Sequence, residues 1–336
     1  MRFRKIARLL GVVFLVYWAG LPAVQGVEFS LSWPTPNPSF AKGLGYHAFL
    51  QKTGPDKDFS SGAFGCVRNN GSKFHEGLDL FPIKSTSQGK AEDSIFAAMD
   101  GVVAYLSHRA SDSAYGKYIV LEHKQFHPVI YTLYAHLERI EPSLSVGKKV
   151  GVAQAIGQMG NTASFRIPLN RSHLHFEIGI RLSDKFDKWY NRQNFNTSNK
   201  HQNFNGYNLV GIDPIKFYSD YQKKSFSSPS DYIQSLPVVT KVQVRRKNPP
   251  FITRRNPPNG STLSPDSINS WVCSFGPFGL PVRLQPSAST FNETVRVVSY
   301  DEKYDSDFCR KLIVRKKGKL YPSEQLETYL ELIFLD

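Results

Sequence analysis

Ser172-His173-Leu174-His175-Phe176-Glu177 places two imidazoles two residues apart inside an apolar run. Successive side chains of a strand point to opposite faces, so His173 and His175 share one face with their Cα atoms about 7 Å apart. Leu174 and Phe176 face the other way, into a core. One imidazole of such a pair can bind a metal while the other stands beside the ion. A lone His-x-His strand is more often two solvent-facing histidines, and two upstream fragments change that balance.

The first is Phe74-His75-Glu76-Gly77-Leu78-Asp79. On a helix, His75 and Asp79 would meet directly. On a flat strand they would share a face about 13 Å apart, too far to hold one ion well. Gly77 between them can take a bend that other residues resist. His75, Asp79 and one of the later histidines then make a set of two nitrogens and one oxygen. Three protein ligands with a fourth position left to water is the pattern of a catalytic zinc site, whereas structural sites are closed by four ligands. The second fragment is Tyr131-Thr132-Leu133-Tyr134-Ala135-His136-Leu137, whose rough alternation reads as a strand. His136 is a candidate for a second imidazole that does not ligate.

In this order the fragments resemble the lysostaphin/LytM-type zinc endopeptidases, the M23 peptidase family. The matches are His75-x-x-x-Asp79, Tyr134-Ala135-His136-Leu137 and His173-Leu174-His175-Phe176-Glu177. Residues 95–103 resemble the family's hairpin, and residues 115–123 its following strand. Val146-Gly147 and Ile156-Gly157 fall where the family has paired turns. The resemblance covers roughly residues 60–220. It implies one zinc ion per chain held by His75, Asp79 and His175, with His136 and His173 as catalytic histidines. It also implies a compact, mainly β fold: an antiparallel sheet with the metal on the floor of a groove.

Two stretches depart from the family pattern. Residues 165–170 lengthen the chain before the His-x-His strand and are expected to form a groove wall. Residues 181–210 intervene before Gly211-Ile212-Asp213-Pro214 and carry Trp189, Tyr190, Phe195, Phe204 and Tyr207. They read equally as a surface loop or as a substrate-binding lid, aromatic faces and amides suiting glycan and peptide recognition. His201 within them reads as a surface residue.

Outside this region, residues 1–26 carry Arg2, Arg4, Lys5 and Arg8, an apolar run, and a small-residue end, the pattern of a secretory signal peptide. An uncleaved anchor is the alternative. Residues 27–62 are proline-rich and are expected to wrap the peptidase domain, assigned to residues 63–220, or to border its groove. Residues 221–265, basic with Pro249-Pro250 and Pro257-Pro258, read as a linker. Residues 266–336 read as a small β-rich module ending in a helix between 322 and 335. Of the three cysteines, Cys273 and Cys309 lie in that module and are the expected disulfide pair, with Cys66 a small core residue.

The formal net charge is +14, four of it from residues 1–26, so the remainder carries +10. Such a surface suits polyanionic surroundings such as a bacterial wall. Nucleic acid competes as a partner, but an exported chain rarely meets it as substrate. The expected activity is hydrolysis of peptides in peptidoglycan cross-links or stem peptides, in the periplasm or cell envelope, with no membrane contact beyond the signal segment. Metal-activated water would attack, His136 or His173 would move protons, and the other would support the oxyanion. Glu177 is expected to orient a ligand, and Glu76 is a rival base. The rivals are a non-catalytic cell-wall-binding or amidase-activating LytM-like protein, and a zinc peptidase that cuts proteins.

Overall fold

Asn69, Asn70 and Gly71 all take positive φ (52°, 56° and 84°), turning the chain tightly between β1 (Gly65–Arg68) and β2 (Lys73–His75). Asparagine and glycine are the residues that tolerate this region. The structure is a computed structural model that describes residues 29–53, 58–254, 263–305 and 309–336, so the expected signal segment at 1–26 lies outside the described residues.

After this hairpin come β3 (Leu78–Leu80), β4 (Ser94–Phe96), β5 (Gly101–Ser107), β6 (Tyr118–His123) and β7 (Ile130–Ala135). The strands β8 (Arg139–Ile140), β9 (Lys149–Val150), β10 (Ala155–Gln158), β11 (Leu174–Arg181) and β12 (Leu209–Ile212) complete the first unit. The main sheet is antiparallel and seven-stranded, in the order β12-β11-β7-β6-β5-β9, with β3 paired to β11. A smaller sheet runs β4-β10-β8. The protein is mainly β, as expected.

Strands β6 and β7 are buried at every position, which alternation explains once both faces of the sheet are covered. Ile119, Leu121, Tyr134, Phe176 and Ile178 enter the main core. Tyr118, Val120, Tyr131, Leu133 and Ala135 point the other way, into a second cluster closed by Phe204 and Leu209. Phe204 and Leu209 of residues 181–210 therefore cover the back of the sheet, while Phe186, Trp189 and Tyr190 of the short helix α1 (Phe186–Tyr190) join the main core. His201 is half-buried, its Nδ1 2.7 Å from the Tyr118 hydroxyl, rather than a free surface residue.

Residues 29–53 lie along the other side. Ser32 donates to the Ala98 carbonyl, Gln51 to that of Asp79, and Trp33 stacks on Phe40 and meets Tyr218 edge-on. Tyr218 belongs to α2 (Pro214–Gln222), whose N-cap Asp213 accepts from the amides of Ile215 and Lys216.

The stretch 221–265, expected as a linker, holds α3 (Pro229–Ser235) and β13 (Thr240–Val244). Strand β13 lies inside a four-stranded sheet, flanked by β14 (Ser270–Phe275), with β15 (Pro281–Ser287) beyond it, and by β16 (Val295–Tyr300). Val242 and Val244 are buried there, and the charges around them disguised the strand. After the short α4 (Glu302–Asp305), the hairpin β17 (Ile313–Lys316) and β18 (Lys319–Pro322) leads to α5 (Glu324–Ile333). Ser323 caps α5, which buries Leu326, Tyr329, Leu330, Leu332 and Ile333 on one face, matching the helix expected there.

The expected Cys273–Cys309 pairing is wrong. Cys66 on β1 is bonded to Cys309, 243 residues away, and Cys273 is a buried free thiol on β14. Cys273 is fully buried in the apolar cluster, and Cys309 is already taken by Cys66. Among the described residues, no helix is long and apolar enough to cross a membrane.

Candidate metal centre and groove

Asp79 on β3 stands directly opposite His175 on β11 in the antiparallel register. His75 ends β2, just before the bend that leads into β3. Gly77 at that bend serves close approach: a Cβ there would lie 2.2 Å from the Phe176 carbonyl oxygen of β11. Only glycine lets the chain run this close to the His-x-His strand, bringing all three side chains to one point.

The donor atoms form a nearly equilateral triangle. His75 Nε2 is 3.1 Å from His175 Nδ1 and 3.2 Å from Asp79 Oδ1, and His175 Nδ1 is 3.0 Å from Asp79 Oδ1. Tetrahedral zinc with bonds of about 2.0–2.1 Å places its ligands about 3.3 Å apart. The three residues form the only such cluster of ligating side chains among the described residues.

Outer hydrogen bonds set the tautomers. His75 Nδ1–H donates to the Ala63 carbonyl at 2.7 Å, and His175 Nε2–H donates to Glu177 Oε1 at 3.0 Å. The remaining lone pairs, on His75 Nε2 and His175 Nδ1, then face each other and a carboxylate oxygen. That arrangement repels itself unless a proton or a metal cation sits between them. Burial works to lower the His175 pKa, yet Asp79 and Glu177 outweigh it and raise it to about 9. The point favours one positive charge, which a divalent cation supplies. Burial lowers the His75 pKa and keeps that ring neutral, the form that ligates. Burial would raise the Asp79 pKa, but the surrounding histidines outweigh it and hold the carboxyl well below its usual range. The residues present fit zinc.

The two other expected histidines stand at the same point. The rings of His136 and His173 are 4.7 Å apart, and His173 Nε2 is 3.7 Å from Asp79 Oδ1. Strand β7 stops at Ala135, and His136 adopts φ 62°, a left-handed conformation that costs a non-glycine residue about 1–2 kcal/mol. That twist takes the ring out of the sheet's alternation. His136 Nδ1 bonds the Thr162 carbonyl and His173 Nδ1 that of Arg171, both at 2.8 Å, leaving Nε2 with the lone pair in each. Burial, with the neighbouring histidines, lowers the His136 pKa to about 3, and burial lowers that of His173. Both rings are neutral at pH 7.

Glu177 faces the site from β11, as the alternation requires. It accepts from Tyr115 at 2.6 Å and Tyr131 at 2.8 Å in addition to His175. Burial alone would raise its pKa, but these three bonds hold it below its usual value. Glu76, the rival base, points instead to Arg310, 2.8 Å away.

Sequence reasoning missed three participants. Arg68 on β1 forms an ion pair with the second oxygen of Asp79, and Tyr115 and Tyr131 lock Glu177. The only signal for Arg68 was its place across the tight Asn69-Asn70-Gly71 turn from the ligand strand. The imidazoles open onto a groove of about 430 Å³ whose lining includes residues 165–168, the expected wall. No residue of 181–210 lines it, so the lid reading of that segment fails: its aromatics pack on the sheet and on one another.

Residues 73–188 match the model of peptidase family M23. Solved structures that resemble the chain include a zinc-containing peptidase from Vibrio cholerae, 24% identical over 45% of this chain and 37% of that one, with a TM-score of 0.30. The catalytic domain of the antimicrobial peptidase lysostaphin from Staphylococcus simulans is 20% identical over 52% of this chain and 95% of that one, with a TM-score of 0.29. A putative glycyl-glycine endopeptidase LytM from Ruminococcus gnavus is 19% identical over 44% of this chain and 47% of that one, with a TM-score of 0.29. The chain thus spans little more than a third of the length of the Vibrio cholerae peptidase. No curated protein matches it in sequence. Residues 73–188, which include His75, Asp79, His136, His173 and His175, are therefore similar to a peptidase family M23 domain.

Proposed function

We propose that this chain is an exported zinc metallo-endopeptidase that hydrolyses peptide bonds in peptidoglycan cross-links or stem peptides. One observation carries the reading: the His75, Asp79 and His175 donors form a zinc-sized triangle, with two neutral imidazoles beside it at the floor of an open groove. His75, Asp79 and His175 would hold a zinc ion, which would supply Lewis-acid polarisation and lower the pKa of a water toward neutrality. His136 and His173, each anchored through Nδ1, offer Nε2 toward the groove. One accepts the proton of the attacking water and returns it to the leaving amine, and the other supports charge on the carbonyl oxygen. Glu177 holds His175 in its ligating tautomer. Arg68 pairs with the second oxygen of Asp79, leaving Oδ1 turned toward the histidines.

Purified sacculi incubated with zinc-loaded protein should release new amino termini. His175→Ala should abolish release, and His136→Ala and His173→Ala should each lower it by about 10²-fold or more. Cleavage of casein but not sacculi would point to a protein peptidase. No release at any zinc loading would leave the non-catalytic wall-binding reading.

A further inference from the structure

The groove is basic, and its cations are not equally engaged. Arg68 is paired with Asp79, and Arg171 donates to the Lys52 carbonyl at 2.6 Å. The two acids of the lining are also spent, Asp79 on the metal cluster and Glu76 on Arg310. Lys73 and Arg166 remain. Both line the groove, both are exposed, and neither side chain makes an ion pair among the described residues. Arg166 comes from the 165–170 extension, beside Phe165, which is 58% exposed. Lys73 lies two residues before the ligand His75, on the same strand.

We infer that Lys73 and Arg166 select substrates carrying a free carboxylate close to the scissile amide, so that the groove takes acidic peptides in preference to neutral ones. The inference rests on the peptidase reading above and names the substrate class of that site. Two like charges left unpaired in one concave site repel each other, and an anionic ligand relieves that repulsion. Guanidinium can grip a carboxylate through two parallel bonds, and ammonium adds a point charge. A neutral oligoglycine segment offers neither cation a partner. Phe165 supplies an apolar face for the aliphatic part of an acidic side chain.

The test uses a labelled, cross-linked stem-peptide dimer with free carboxylates and the same dimer with every carboxylate converted to a carboxamide. Binding is read by fluorescence anisotropy on metal-free protein, and kcat/KM on zinc-loaded protein. The acidic dimer should be preferred by about tenfold or more in both readouts, with the preference shrinking in high salt. In the Lys73→Gln/Arg166→Gln double variant that ratio should fall to about twofold or less. Zinc uptake by the variant checks that it is folded. Equal binding of the two dimers, or a preference that the double variant retains, overturns the carboxylate reading. Preferential binding of the acidic dimer without cleavage at any zinc loading overturns the peptidase reading instead, and with it the selection of substrates, leaving an anion-binding groove.

Discussion

Glu177 accepts three bonds within 3.0 Å while buried at 1% exposure, and each of them bears on His175. Glu177→Gln keeps the shape but weakens the acceptor that orients the ring. Zinc affinity should fall about 10–100-fold, measured by competition with a chromophoric chelator, and unchanged affinity would remove Glu177 from the site's support. His123 shows the cost of a buried imidazole away from the metal. It bonds the Asp100 carbonyl through Nδ1 and Thr132 Oγ1 through Nε2, and burial lowers its pKa to about 4. The folded value lies below the unfolded one of about 6.5, so between those pH values the unfolded chain binds more protons. Stability should therefore fall on acidification by about 1.4 kcal/mol per pH unit from this group alone. Urea unfolding at pH 7 and pH 5 should show His123→Gln losing about 1–2 kcal/mol less than wild type, and equal losses would assign the acid sensitivity elsewhere. The five metal and catalytic candidates were legible because their spacings are short and strand geometry ties spacing to direction. Arg68, Tyr115 and Tyr131 were not, since an ion pair or a hydroxyl contact between distant strands leaves no periodic trace.

The hairpin of β1 and β2 carries His75, yet the two strands hold little of their own core. The C-terminal module pins it. Cys66 is bonded to Cys309, Arg310 pairs with Glu76 and lies 4.0 Å over the Phe74 ring, and Phe278 meets Phe64 and Phe74 edge-on. A bridge closing so long a loop removes much unfolded-state entropy. Cys309→Ser should cost about 2–5 kcal/mol in urea unfolding, with a further loss for Arg310→Ala that depends on the bridge being present. A cost near zero would mean that the aromatic contacts suffice to hold the hairpin. The pairing could not be read from sequence, because proximity along the chain favoured Cys273 and only the docking of the module reveals Cys66 as the partner. Element type was clearer than element role. Helix α5 announces itself by Ser323 and an apolar stripe, whereas β13 hides in a basic, proline-bearing stretch whose buried Gln243 is satisfied by Ser270 and Arg296.

At the scale of the molecule, one apolar cluster runs from Phe49 in the N-terminal segment, through the sheet at Phe176 and Ile178, to Tyr329 and Leu335 beside the C-terminal helix. Chains of this length commonly split into units with separate cores. Here the seam between them is filled by Phe64, Phe74 and Phe278 and crossed by a covalent bond. Sequence alone divided the chain at a linker, since composition records charge and proline but not which apolar faces meet. A continuous core makes the parts unfold together. Oxidised protein should therefore melt in a single calorimetric transition, with calorimetric and van't Hoff enthalpies in agreement. Zinc should raise the midpoint without splitting the peak, because it binds the folded form only. Two resolved transitions in the oxidised protein, the lower one insensitive to zinc, would show that the C-terminal module folds on its own and that its grip on the His75 hairpin contributes little to the metal centre.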